Sequence, residues 1–152
     1  MANTQSMCTS FLGELMTATH NFTTGTGNTF KAALFLSSAT QNASTTAYGT
    51  SGEVTGAGYS AGGITVTNGT SPTSTNSSTT AGVGYWTPSA SLTYTGVTLT
   101  TAFNAVLIYN SSASNKAVSV HTFGDQTITA GTFTLTMPAN ATSTALLRLA
   151  TT

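Results

Sequence analysis

The sequence predicts an all-β protein: an antiparallel two-sheet β-sandwich, with the jelly roll as one variant, carrying a short N-terminal α-helix. Three observations predict it. Thr is the commonest residue, and Val, Tyr and Phe recur; residues that are stiff at χ1 or aromatic suit a pleated surface. Glu, Lys and Arg, the residues that fill exposed helix faces, are nearly absent, and only 4% of the chain is charged, against about 25% in an average soluble domain. Finally, short apolar or alternating runs follow one another between turn-rich stretches, with no helical pattern interleaved, which argues against a parallel βαβ sheet.

The elements follow in order. In residues 6–19, Met7, Phe11, Leu12, Leu15, Met16 and Ala18 recur at helical spacing, with Ser6 placed to cap the start. Residues 1–19 therefore read as a helical arm, and residues 20–152 as the β-sandwich domain. HNFTTGTGN is a turn-rich link, and Phe30–Leu36 is an apolar run of strand length. Residues 37–51 read as polar loop. EVTGAGYSAGGITVTN reads as two short strands broken at Gly62-Gly63, a hairpin signal. NGTSPTSTNSSTT, at residues 68–80, reads as an exposed low-complexity loop.

The second half alternates more cleanly. Val83–Trp86 starts a strand that stops near Pro88. Leu92, Tyr94, Val97 and Leu99 make another, kinked or bulged at Gly96. FNAVLIY is the most apolar run and reads as central. AVSVHTF follows, then a turn at Gly124-Asp125. Ile128, Phe133, Leu135 and Met137 alternate as far as Pro138, and ALLRLA closes the chain.

The chain has 152 residues, three Lys+Arg, three Asp+Glu and two His, for a net charge of zero. Hydrophobic residues make up 39%, enough to bury a core; disorder needs low hydrophobicity with high net charge. Zero net charge also removes repulsion between copies. Cys8 is the single cysteine, so an intrachain disulfide is impossible. The N-terminus lacks a basic stretch, and its apolar residues are broken by Gly13 and Glu14, unlike a signal peptide. The expected site of synthesis is a cytoplasm.

Scarcity of charge excludes most chemistry. The acids are Glu14, Glu53 and Asp125, which read as solvated or capping groups; a glycosidase would need two of them to flank one bond. His121 in HTFGD reads as a sheet residue, with a His121–Asp125 pair as the catalytic alternative, but no nucleophile elbow marks a partner. Two His and one Cys far apart do not make a metal set. Lys31, Lys116 and Arg148 are too few to release counterions from nucleic acid. The expectation is therefore no enzyme, no cofactor, no metal, no direct nucleic-acid partner and no membrane span. Tyr48, Tyr59, Tyr85, Trp86, Tyr94 and Tyr109 could line a carbohydrate-binding face, although such residues in small β domains mostly serve the core.

The ordered series HNF, TFKAALF, ATQNASTTAY, EVTGAGYSAGG, FNAVLIYN, HTFGD and TFTLTMP, spread over residues 20–150, resembles a family of small tailed-bacteriophage virion structural proteins, among them head decoration or cement proteins. None of these motifs is catalytic, and the resemblance transfers no residue role. It implies a β-sandwich subunit on the outer surface of the capsid, a virion component that joins major capsid protein subunits and is assembled in the host cytoplasm. The partners expected are the major capsid protein and further copies of the chain, as a homo-oligomer with a trimer favoured over a dimer. Phe11, Leu15 and Met16 on the helix are the candidate interface residues. The alternative is a head-fibre or tail-associated adhesion module that binds host surface glycan through the aromatic face.

Overall fold

The computed structural model describes residues 2–75 and 81–151. Among them the chain forms β1 (Ser6–Met7), α1 (Thr9–Met16), β2 (Phe30–Leu36), β3 (Ile64–Thr65), β4 (Thr73–Ser74), β5 (Val83–Trp86), β6 (Leu92–Asn110), β7 (Lys116–Leu135) and β8 (Leu147–Ala150). They build two antiparallel sheets, one of five strands in the order β1-β7-β6-β2-β3 and one of three in the order β4-β5-β8. The all-β class, the two antiparallel sheets and the single short helix match the sequence reading.

The spine is the β6–β7 hairpin, whose strands run 19 and 20 residues. The sequence reads here as a series of shorter strands, with a turn at Gly124-Asp125. The structure corrects this: Gly124 and Asp125 continue β7, and the ladder instead shifts register at five places. A bulge absorbs extra residues without ending a strand and sharpens its twist. Gly96, the expected kink, lies at one such shift, between Tyr94 and Val97, with φ of 65°.

Every residue from Ala105 to Asn110 is buried. Neighbouring residues of a strand point to opposite faces, so both faces of this segment are covered. On one, Tyr109 stacks on Tyr48 with centroids 4.5 Å apart. On the other, Asn110 Nδ2 donates to Asn28 Oδ1 at 2.9 Å and lies 3.1 Å from His20 Nδ1. The 37–63 excursion thus roofs one face and the N-terminal segment the other. Phe22 and Phe30 stack at 4.2 Å, and Trp86 packs against Phe22 at 4.7 Å, joining the small sheet to the core. Burying each such ring contributes about 1.5–3 kcal/mol.

The N-terminal segment belongs to this body. Ser6 does not cap the helix; in β1 it pairs with Val120 of β7, and Cys8 N–H donates to the Val118 carbonyl at 2.9 Å before α1 begins. The ladder holds these residues extended, so the helix starts at Thr9 with Cys8 as its N-cap. Cys8 and Phe11 are buried in the common core.

The Gly62-Gly63 turn is present, but its flanking residues do not pair as a hairpin. β3 pairs with β2, while Glu53 and Ala57 make single bridges to Phe35 and Thr98. Gly63, at φ 69°, lies against the Ala32 carbonyl, where any Cβ would collide. The expected 68–80 loop contains β4, paired with Tyr85 and Gly84; its residues 76–80 lie outside the described residues.

Candidate functional site

The three acids are dispersed, and each is committed to a structural bond. Glu53, only 6% exposed, is the most confined. Its Oε2 accepts from Tyr48 OH, and its Oε1 from Tyr59 OH and Gly62 N–H, all at 2.7 Å. Tyr59 OH in turn accepts from Leu34 N–H at 3.0 Å, and Tyr109 OH donates to the Gly62 carbonyl at 2.8 Å. Burial, then the Glu53 carboxylate, pushes the Tyr48 and Tyr59 phenols far above their ordinary value. A carboxylate surrounded by donors that do not titrate near neutrality holds a fold together; it has no acid or base partner. The expected solvated or capping role of Glu53 is therefore corrected, because a polar anchor is needed where the excursion crosses the sheet.

Glu14 makes a second node. Lys116 Nζ donates to its Oε1 at 2.6 Å, and His20 Nε2 lies 2.7 Å from its Oε2. Burial raises the Glu14 pKa, but the hydrogen bonds from Lys116 and His20 and the Lys116 charge outweigh it and hold the carboxyl below its ordinary value. Asn110 orients the imidazole. Its Oδ1 accepts from Ser112 N–H at 3.1 Å, so its Nδ2 faces His20 Nδ1. Nδ1 then accepts, and the Nε2 proton points at Glu14. The arrangement has the shape of a catalytic relay, but the His20 side chain is 0% exposed, and its hydrogen bonds among the described residues go to Glu14 and Asn110, not to a hydroxyl or thiol. Asn110, invisible as a site residue in the sequence, is the element that sets it.

The proposed His121–Asp125 pair does not form. Asp125 Oδ1 accepts from Ser37 Oγ at 2.8 Å and Asn104 Nδ2 at 3.0 Å. His121 is 2.9 Å from Ser119 Oγ, and burial lowers its pKa to about 4. Glu53 and Asp125 share no partner. Burial, then the Glu14 charge, raises the Cys8 thiol to about 11. Among the described residues no group of three His, Cys, Asp or Glu is placed to hold a metal, and no helix is long and apolar enough to cross a membrane. Lys31, Lys116 and Arg148 lie on three different strands. Of the aromatics, Trp86, Tyr94 and Tyr109 are in the core. Tyr48, Tyr59 and Tyr85 are half-buried, the first two with their hydroxyls on Glu53.

One surface cleft is apolar. With a volume of about 150 Å³, it runs between α1 and the three-stranded sheet, walled by Met7, Phe11, Leu15, Phe22, Trp86 and Leu147. The three candidate interface residues divide around it. Phe11 is 2% exposed and serves the protein's own core, Leu15 is half-buried on the wall, and Met16, 85% exposed, does not line the cleft. The sequence reading missed the opposite wall. Its signal is in ALLRLA: Leu147 and Leu149 alternate onto one face, yet Leu147 is buried while Leu149, 46% exposed, runs past the edge of the core. No protein-family model, curated protein or solved structure matches the chain.

Proposed function

We propose that this chain is a bacteriophage capsid decoration protein, which binds the outer surface of the head and stabilises contacts between major capsid protein subunits. One observation carries the reading. The acids and histidines hold the fold, and one surface cleft is apolar, with the exposed Leu149 on its wall. Such a surface adheres; it does not turn over a substrate. Its grip would rest on apolar burial and neutral hydrogen bonds, which salt screens little. The resemblance of the HNF-to-TFTLTMP series to small virion proteins supports the same reading, and zero net charge favours assembly as a homo-oligomer.

Cryo-electron microscopy of purified particles tests the proposal. The chain is expected on the outer shell, in a copy number comparable with that of the major capsid protein. Density confined to a tail tip, or a chain missing from particles, overturns it.

A further inference from the structure

We propose that Asn68-Gly69 is a deamidation site that the fold holds shut, so that ring closure at Asn68 becomes a one-way mark of an opened 67–71 segment. The proposal goes beyond the capsid reading and stands whether or not the chain binds a phage head.

Asn68-Gly69 is the one Asn-Gly pair in the chain. Glycine has no Cβ to shield its nitrogen or to restrict its backbone. In a segment free to turn, the Gly69 nitrogen attacks Cγ of the Asn68 side chain. The N–Cγ bond forms, the Cγ–Nδ2 bond breaks, and the amide nitrogen leaves as ammonia with the Gly69 proton. Water then opens the cyclic imide at either carbonyl, to aspartate or isoaspartate.

The folded chain ties down each reacting group. Asn68 Nδ2 donates to the Phe22 carbonyl at 2.8 Å, and Oδ1 accepts from Trp86 Nε1 at 3.0 Å. An acceptor on one side and a donor on the other fix the amide's orientation. Gly69 N–H, whose proton must be lost, donates to Ser89 Oγ at 2.9 Å. Ser89 is held in turn: its Oγ and its N–H both donate to the Thr67 carbonyl, at 3.1 and 2.9 Å. Swinging Cγ onto the Gly69 nitrogen breaks these bonds, so the reaction waits on local opening. The same packing calls for the labile pair. A Cβ on residue 69 would stand 2.5 Å from Ser89 Oγ and 2.9 Å from its Cβ, too close for either. The product does not fit the clasp, because an aspartate turns an acceptor toward the Phe22 carbonyl.

Peptide mapping by mass spectrometry, with isoaspartate detection, tests this on the full chain at mildly alkaline pH, folded or in guanidinium. Asn68 should convert at least about tenfold more slowly in the folded chain. Ser89→Ala should raise the folded rate several-fold at Asn68 and leave Asn110, which precedes a serine, unchanged. Equal rates folded and unfolded, a Ser89→Ala rate equal to that of the wild type, or a rise at both asparagines overturns the proposal. Amide hydrogen exchange needs no variant: a Gly69 N–H that exchanges as fast as an unprotected amide also overturns it. Trp86 is the single tryptophan, so Asn68→Asp should shift the emission to the red as the clasp loosens. An unshifted emission, with unchanged stability, removes the one-way mark.

Discussion

Two carboxylates, Glu53 buried and Glu14 half-buried, anchor two covers of the same sheet, and they are stabilised in opposite ways. Glu53 fastens the 37–63 excursion with two phenols and a backbone N–H, and among the described residues no cation bonds to it. Glu14 fastens α1 and the following link with a lysine and a histidine. The first cage is built from residues close in sequence, five to nine positions away. The second reaches from α1 to β7, 102 positions on. In a chain so short of charge, neutral donors serve where a loop can supply them locally. A cation is used where two distant elements must be clasped.

The largest effect should come from breaking the neutral cage. Glu53→Ala leaves two phenols and an N–H without their acceptor, and unfolding in denaturant should show a loss of about 4 kcal/mol. Glu53→Gln keeps one acceptor and should lose about half of that. If both substitutions cost less than 1 kcal/mol, the cage is not what holds the excursion.

Acid titration reports on the Glu14 node once His121 is removed from the comparison. Its folded pKa is depressed to about 4 from 6.5, so the unfolded chain binds the proton first. Stability is full above 6.5 and falls as pH drops toward 4, by at most on the order of 3 kcal/mol. His121→Gln should flatten that limb. Glu14, also depressed, then governs the next: its contribution is present above the unfolded value near 4.5 and is lost as pH falls through the lower folded value. Melting curves from pH 7 to 3 on the His121→Gln background, with and without Glu14→Gln, should differ only at the acid end.

The clasp itself is weaker. The Lys116 side chain is 39% exposed, so solvent screens the pair. A Glu14→Gln, Lys116→Met double-mutant cycle should give a coupling of about 0.5–1 kcal/mol. The smallest effect is a gain. Ser10 Oγ on α1 is shut away from water without a partner, so Ser10→Ala should stabilise by about 0.5 kcal/mol. A loss instead would mean that the hydroxyl has a bonding role.

The same contrast explains what could be read from the chain. Phe30–Leu36 and Val83–Trp86 stand out because apolar density and strand length coincide there, and Gly96 because a bulge calls for its backbone freedom. The merging of shorter runs into β6 and β7 was not legible: bulged registers break the period of two, and Gly124-Asp125 carries a turn signal that a long ladder overrides. The two-residue β1 and β4 owe their existence to their partner strands, not to propensity. Tyr48 and Tyr59, on either side of Glu53, were a local clue to its cage. The Glu14–His20–Asn110–Lys116 node joins four separated positions, and only the closed fold brings them together.

Cys8 carries a consequence of its own. A thiol raised to about 11 and sealed in the core exposes on the order of one thiolate in ten thousand at neutral pH, too little for oxidants or disulfide exchange to find readily. The chain can pass from reducing to oxidising surroundings with its covalent structure unchanged, and copies held at high concentration should not become cross-linked through sulfur.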